Sequence, residues 1–169
     1  HPGLLRIASS ASASSGRIVS LAANLVPVLI SGGEVYEAVF KLSNLTNCAY
    51  YLGFLDATNA DAVDGAYIYI PSSGAAVGKT ASNSSRTSTG TTYTVSTSTW
   101  YRARITVNSN ATSVTFEIYN DSGTQLWTNT TAATIPTAAG RETGAGFSAA
   151  YTTGGAQTLV NIDWLALWY

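Results

Sequence analysis

Residues 99–107 read TWYRARITV, and residues 114–119 read VTFEIY. In the first segment every second position is apolar or aromatic, namely Tyr101, Ala103, Ile105 and Val107. The positions between them hold Trp100, Arg102, Arg104 and Thr106. A period of two is typical of a β-strand, because successive side chains of a strand point to opposite faces. The segment therefore predicts a strand with one apolar face and one polar face.

The second segment continues this pattern after a polar, turn-prone link at residues 108–113. If Val107 pairs with Val114, the apolar positions that follow also pair, Ile105 with Phe116 and Ala103 with Ile118. The same register places Arg104 opposite Glu117 on the other face. A slip by one residue would break both sets of pairs at once. We therefore predict an antiparallel hairpin in this register.

The composition limits what kind of protein this is. Of the 169 residues 46% are hydrophobic, 11% aromatic and 10% charged, and the formal net charge is −1. Such a chain can bury a core, which excludes intrinsic disorder. It has neither the basic field that attracts nucleic acid nor an apolar run long enough to span a membrane, so we expect neither partner. Cys48 is the only cysteine and cannot form an internal disulfide. The length suits one domain, residues 1–169, which we expect to be the C-terminal part of a longer chain.

The remaining sequence predicts short strands and no helix. About ten to twelve strands separated by Ser, Asn and Gly turns are typical of a sandwich or jelly roll. Residues 72–98 are the least regular, with strands predicted near 76–81 and 86–95. The strand after Glu34 has as its inward positions Tyr36, Ala38, Phe40 and Leu42, and as its outward positions Val35, Glu37, Val39 and Lys41. In the last strand one alternating set is Val160, Ile162, Trp164 and Ala166, and the other is Asn161, Asp163 and Leu165. We predict an all-β, antiparallel, two-sheet jelly-roll sandwich.

Six segments, in order along the chain, resemble one group of domains. They are HPGLLR (1–6), GEVYEA (33–38), YLGF (51–54), DGAY (64–67), TWYR (99–102) and DWL (163–165). Through them the chain is similar to the concanavalin A-like lectin/glucanase (laminin-G-like) jelly rolls of bacteriophage virion proteins, particularly tail fibres, tailspikes and minor structural proteins. The resemblance implies a jelly roll exposed on a particle, which binds surface glycans or packs onto a neighbouring virion subunit.

Glycosidases that share this jelly roll resemble one another in a Glu-x-Asp-x-Glu or Glu-x-Asp-x-x-Glu strand, which carries their catalytic carboxylates. The nearest sequence here is EVYE, which runs from Glu34 to Glu37. A retaining glycosidase needs two carboxyl groups about 5 Å apart, whereas a spacing of three places them on opposite faces of a strand. The one histidine, His1, lies at the chain end, so no Ser-His-Asp or Cys-His site is visible. We predict that the chain is not an enzyme and that Glu37 is an exposed strand residue.

An oxygen-rich loop follows the strand that ends near residue 55. Its candidate metal ligands are Asp56, Asn59, Asp61 and Asp64. Carboxylate and amide oxygens suit Ca²⁺, and the lectin-like resemblance makes calcium the one cofactor to consider. The spacing is not that of an EF-hand, however, and Asp and Asn also form turns through their own side chains. A calcium site and a turn-forming loop are both open interpretations.

Carbohydrate recognition needs exposed aromatic faces with a few planar polar partners. Trp100 and Arg102 share the polar face of the central strand, and Tyr119 lies beside them on its partner. The full candidate set is Trp100, Arg102, Tyr119, Tyr67 and Tyr69. The alternative is that these aromatic residues fill the core and that Arg102 and Tyr119 are only a cross-strand pair.

These observations together favour a non-enzymatic virion domain that decorates a bacteriophage tail fibre, tail or capsid. We expect it on the virion surface or otherwise extracellular, as a homo-oligomer, with surface glycans or other virion subunits as partners. The alternative is a carbohydrate-binding module of a secreted bacterial enzyme. A glycoside hydrolase or polysaccharide lyase is the third interpretation, because the fold alone does not decide function.

Overall fold

The computed structural model describes residues 4–8, 16–20, 28–57, 60–151 and 159–169. Within them the regular elements are all strands: β1 (Leu5–Ala8), β2 (Gly16–Ser20), β3 (Val35–Leu42), β4 (Cys48–Leu55), β5 (Gly65–Ile70), β6 (Ala75–Ser82), β7 (Ser85–Ser88), β8 (Tyr93–Thr94), β9 (Trp100–Val107), β10 (Val114–Asn120), β11 (Gln125–Thr131), β12 (Gly144–Tyr151) and β13 (Leu159–Trp168). No helix that could cross a membrane is found in this described part of the chain.

The strands form two antiparallel sheets. Sheet 1 has the order β1-β13-β3-β9-β10-β11, and sheet 2 has the order β2-β12-β4-β5-β6-β7, with β8 also paired to β6. The predicted all-β, two-sheet jelly-roll sandwich is therefore confirmed. The single strand predicted near residues 86–95 is instead two, since β7 pairs with one end of β6 and β8 with the other.

The central hairpin has the predicted register. Val107 lies opposite Val114, Ile105 opposite Phe116 and Ala103 opposite Ile118. On the other face Arg104 lies opposite Glu117. β9 also pairs along its other edge with β3, so the hairpin occupies the middle of sheet 1.

The core lies between the sheets and is built from their facing apolar residues. All four predicted inward positions of β3, Tyr36, Ala38, Phe40 and Leu42, are fully buried. Aromatic rings join the layers: Phe40 lies 5.5 Å from Phe147 of β12, and Tyr36 lies 6.2 Å from Phe54 of β4, measured between ring centroids. Tilted and edge-on ring pairs of this kind add to the stability that area burial supplies.

The outward face of β3 differs from the prediction. Glu37 was expected to be exposed, but only 5% of its surface is accessible. It lies between β13 on one side and β9 on the other, and the Arg102 guanidinium approaches its carboxylate to 3.5 Å. Glu37 is buried because its strand lies in the middle of the sheet and the long Arg102 side chain covers it. Strand alternation alone predicts only that Glu37 points outward.

The last strand changes phase within its length. The register of β13 against β3 shifts between Ile162 and Trp164, as at a β-bulge. Ile162 therefore faces the core, whereas Trp164 lies opposite Val39 on the outward side, and Leu165 packs against the core instead. The predicted grouping of Trp164 with Ile162 is wrong because one extra residue at a bulge reverses the alternation that follows.

Gly78 of β6 allows the sheets to approach closely. A Cβ atom at this position would lie 2.4 Å from Cδ2 of Phe116, a fully buried side chain of β10. The contact is between the two layers, so any added side chain must displace a core ring. Gly78 is therefore a packing requirement of the sandwich.

Replacing Gly78 by alanine is expected to lower the free energy of unfolding by about 1–3 kcal/mol, the usual cost of overpacking a core. Urea denaturation followed by tryptophan fluorescence measures the change. Gly90→Ala is the control, since a Cβ there meets nothing within 4 Å. Equal stability of the two variants would contradict this account of the packing.

Candidate functional site

The outer face of sheet 1, turned away from sheet 2, carries a row of side chains that crosses the strands. Val39 lies opposite Arg102, and Arg102 lies opposite Tyr119. The Arg102 guanidinium carbon stands 4.4 Å from the centroid of the Tyr119 ring. Its Nη1 atom also lies 3.5 Å from Oε1 of Glu37. Arg102 is thus held between an aromatic face and a carboxylate, while its side chain remains partly exposed.

Trp100 lies one row further along β9 on the same face. The Lys41 ammonium is 4.9 Å from the centroid of its ring, and a Lys–Trp arrangement of this kind is a cation–π contact. An open pocket with a volume of about 440 Å³ adjoins it. This pocket is lined by Thr99, Trp100, Asn120, Asp121 and Ser122.

A second, smaller pocket of about 100 Å³ adjoins Arg102. It is lined by Val39, Tyr101, Arg102, Asn120, Asp121 and Gly123. Asn120 and Asp121, at the turn after β10, border both pockets. The Asn120 side chain accepts hydrogen bonds from Thr124 N–H at 2.7 Å and from the Ser122 hydroxyl at 2.8 Å. The turn that forms the shared rim is therefore stabilised by hydrogen bonds to the Asn120 side chain.

Glu117 supports the Tyr119 end of the row. Its Oε1 accepts hydrogen bonds from the Tyr119 hydroxyl at 2.8 Å and from Gln125 Nε2 at 2.7 Å. Burial, followed by the contact with Glu117, raises the pKa of Tyr119. Tyr119 consequently keeps its proton and donates, with its ring oriented toward Arg102.

The predicted register, with Arg104 opposite Glu117, is confirmed, but Arg104 also has a second carboxylate beside it. Arg104 lies opposite Glu37 on β3 as well as Glu117 on β10. Arg104 therefore lies between two carboxylates, in a cross-strand row of its own next to the row of Arg102. Sequence alternation identified the cross-strand neighbour within the hairpin, whereas the contribution of β3 depends on a pairing between distant segments.

Trp100, Arg102 and Tyr119 are brought together as predicted, but Tyr67 and Tyr69 are not part of this site. Both belong to β5 in sheet 2. Tyr67 is fully buried and donates a hydrogen bond to Asp61 at 3.0 Å, and burial is the largest cause that raises its pKa. Ala62 of the preceding loop packs in the same cluster. The loop packs over this tyrosine, and its burial argues against contact with a ligand.

Tyr69 is partly exposed but stands in a different environment from Tyr119. Its ring centroid is 5.1 Å from that of Tyr51, and the Lys79 ammonium lies 4.2 Å from it. Burial raises the pKa of Tyr51 to about 12. This pair stabilises the outer surface of sheet 2, on the opposite side of the sandwich from the row at Arg102.

The carboxylates of the oxygen-rich loop form hydrogen bonds and ion pairs with other groups of the protein. Asp56 accepts hydrogen bonds from the backbone N–H groups of Val63 and Asp64 at 2.9 and 2.8 Å. Asp61 forms an ion pair with Lys79 at 2.8 Å.

The third carboxylate of the loop, Asp64, pairs with Arg141 at 3.1 Å and accepts a hydrogen bond from Asn83 N–H at 2.8 Å. Asn59 lies outside the described residues. Within the described part of the chain no three His, Cys, Asp or Glu side chains are grouped for a metal ion. These contacts favour the turn interpretation of the loop over the calcium interpretation.

The EVYE motif also divides into two separate roles. Glu34 is buried, and its carboxylate accepts hydrogen bonds from the N–H groups of Ser31 and Gly32 at 2.8 to 3.0 Å. It therefore stabilises the turn that leads into β3. Glu37 lies on the outer face of sheet 1, so the two carboxylates do not form one site.

A sequence model for the family described as SO2946-like, C-terminal domain, matches residues 1–163. A search of curated proteins finds no match.

Solved structures share the fold over nearly the whole chain. A protein of unknown function, SO2946 from Shewanella oneidensis MR-1, has a TM-score of 0.70 at 24% identity, covering 95% of this chain and 68% of that one. A glycoside hydrolase family protein from Mycobacterium thermorestibile has a TM-score of 0.64 at 18% identity, covering 99% and 77%. Alginate lyase A1-II′ has a TM-score of 0.60 at 14% identity, covering 98% and 78%. The concanavalin A-like jelly-roll fold expected from the resemblance is confirmed.

Replacing Asp64 by alanine is expected to destabilise the protein by about 1–3 kcal/mol, because it leaves Arg141 and the Asn83 N–H without their acceptor. Thermal denaturation measures the loss, and Glu142→Gln, at an exposed neighbouring position, is the control. Adding a chelator should leave the melting temperature of the wild-type protein unchanged. A chelator-induced fall in that temperature would instead support calcium in the loop.

Proposed function

The chain belongs to the SO2946-like C-terminal domain family and has a lectin-like jelly-roll fold, and we propose that it is a non-enzymatic module that binds surface glycans through the outer face of sheet 1. The observation that carries the proposal is the grouping of Trp100, Arg102 and Tyr119 on that face. Trp100 lines one of two pockets and Arg102 the other, the two pockets share Asn120 and Asp121, and the Tyr119 ring lies against the Arg102 guanidinium.

The chemistry of this grouping suits a sugar. An aromatic ring offers a flat apolar face to the C–H side of a pyranose, while a guanidinium or amide group bonds its hydroxyls. Arg102 already stacks on Tyr119 and contacts Glu37, so little ordering is needed when a ligand arrives. Preorganisation of this kind lowers the entropic cost of binding.

The contacts of the two carboxylates support a binding role without catalysis. Glu37 is buried and paired with Arg102, and Glu117 accepts hydrogen bonds from Tyr119 and Gln125. A general acid or base has to transfer a proton at the reacting atom. Both groups are instead used to position the neighbouring side chains.

A glycoside hydrolase is the second candidate, because Glu37 and Glu117 share one face. With β9 between them, their backbones are about 10 Å apart, twice the strand spacing. Inverting glycosidases separate their carboxyl groups by about 6.5–9.5 Å, wider than in retaining enzymes. The glycoside hydrolase and alginate lyase that share the fold are less than 25% identical and therefore support only the architecture.

The bacteriophage setting is part of the same proposal and rests on the ordered sequence resemblance. In this setting the module lies on the virion surface, as part of a tail fibre, tail or capsid decoration, and attaches to host glycans or to other virion subunits. A carbohydrate-binding module of a secreted bacterial enzyme is the alternative. The complete reading frame discriminates between them. The virion interpretation predicts fibre sequence beside the module, and the secreted-enzyme interpretation predicts a catalytic domain there.

We predict that the wild-type protein binds glycans on an array and that Tyr119→Ala weakens this binding about tenfold or more, because the ring and the support of Arg102 are both lost. Tyr69→Ala is the matched control, since it removes a partly exposed tyrosine from the opposite sheet. Circular dichroism verifies that both variants are folded. Equal losses in the two variants would contradict a site on sheet 1.

We also predict no release of reducing ends or unsaturated sugars from β-glucan or alginate. The reason is that Glu37 pairs with Arg102, and Glu117 accepts hydrogen bonds from Tyr119 and Gln125. Reducing-sugar and ultraviolet absorbance assays measure the two products. Turnover that disappears in both Glu37→Gln and Glu117→Gln, while Glu142→Gln keeps it, would establish the hydrolase interpretation instead.

A further inference from the structure

Two tryptophans outside the predicted site project from the outer face of sheet 1. Trp164 is 45% exposed and Trp168 is 38% exposed. Their ring centroids are 5.9 Å apart, with an interplanar angle of 36°. Large aromatic surfaces in water are costly, and a group of them on a folded surface marks a binding site.

The bulge in β13 is what places this pair on the outer face. After the register shift that follows Ile162, Trp164 lies opposite Val39 and Trp168 opposite Val35. Without the extra residue the two rings would be directed toward the core, where Leu165 and Leu167 pack instead. Bulges commonly serve to redirect a side chain next to a functional site.

The pair is continuous with the site at Arg102. Trp164 pairs with Val39, Val39 pairs with Arg102, and Arg102 pairs with Tyr119. Val39 is also a wall of the smaller pocket. The row from β13 to β10 spans three strand spacings, about 14 Å. A single sugar ring is too short to reach both ends of it.

We propose that Trp164 and Trp168 form a second stacking subsite and that the ligand of this face is an elongated oligosaccharide lying across the strands from β13 to β10. This inference rests on the proposed glycan-binding function and deepens it. The Arg102–Tyr119 end holds one part of the oligosaccharide through polar groups and a ring. The tryptophan pair holds a part several sugars away through apolar stacking.

Binding as a function of ligand length tests the proposal. The probes are disaccharides and hexasaccharides of alginate and of β-1,3-glucan, with affinities measured by isothermal titration calorimetry on the whole chain. Trp164→Ala and Trp168→Ala should each weaken hexasaccharide binding about tenfold and leave disaccharide binding unchanged. Tyr119→Ala should weaken the binding of both lengths.

Leu5→Ala is the matched control for a protein contact on the same edge. Leu5 is 47% exposed on β1, which pairs with β13. As the partner of the core-facing Ile162, Leu5 lies on the other face of sheet 1 from Trp164. A subunit interface that covers the β1–β13 edge would include this residue, whereas the proposed glycan row does not. Analytical ultracentrifugation of Trp164→Ala, Trp168→Ala and Leu5→Ala therefore accompanies the binding measurements.

The outcomes distinguish failure of the second subsite from failure of the proposed glycan-binding function. Loss confined to the hexasaccharide supports the second subsite. Unchanged hexasaccharide affinity in both tryptophan variants overturns it while the effect of Tyr119→Ala keeps the proposed function in place. A change of oligomeric state in Trp164→Ala and Leu5→Ala, without a change in glycan affinity, makes the patch a subunit interface and also overturns it. Failure of the wild-type protein to bind any glycan, on the array or as these probes, refutes the proposed function and the inference with it.

Discussion

The antiparallel pairing of β9 with β3 on one side and β10 on the other determines which side chains meet on both faces of sheet 1. Inside the sandwich it aligns Tyr36 with Ile105, and outside it aligns Val39, Arg102 and Tyr119 in one row. Because successive strand residues alternate between faces, the core and the candidate site share one register. A slip that exposed the core would also disperse the site.

The arrangement of charges on the outer face follows from this register and from the shortage of charged residues. Arg102 contacts Glu37 and Tyr119, and Glu117 is held by Tyr119 and Gln125. Pairing at partly buried positions offsets the cost of removing the charges from water. The result is a polar network that holds the Tyr119 ring and the Arg102 guanidinium in place.

The two outer faces of the sandwich are used differently. On sheet 2 the loop after β4 returns across the strands, covers Tyr67 and ties its carboxylates to Lys79 and Arg141. On sheet 1 aromatic rings remain partly accessible beside two pockets. The same residue type, tyrosine in an alternating strand, is thus structural on one layer and available to a ligand on the other.

The sequence by itself determined the all-β class, the hairpin register and the inward set of β3, because these depend on alternation and on neighbours a few residues apart. It also brought Trp100, Arg102 and Tyr119 together, since all three belong to one hairpin. Only the tertiary structure decided that Glu37 is buried and that a bulge turns Trp164 outward. Both features arise where β3 and β13 pair with segments far away in the chain. An alternation of period two does not show which side chain of a distant strand will cover Glu37, or where that pairing will contain a bulge.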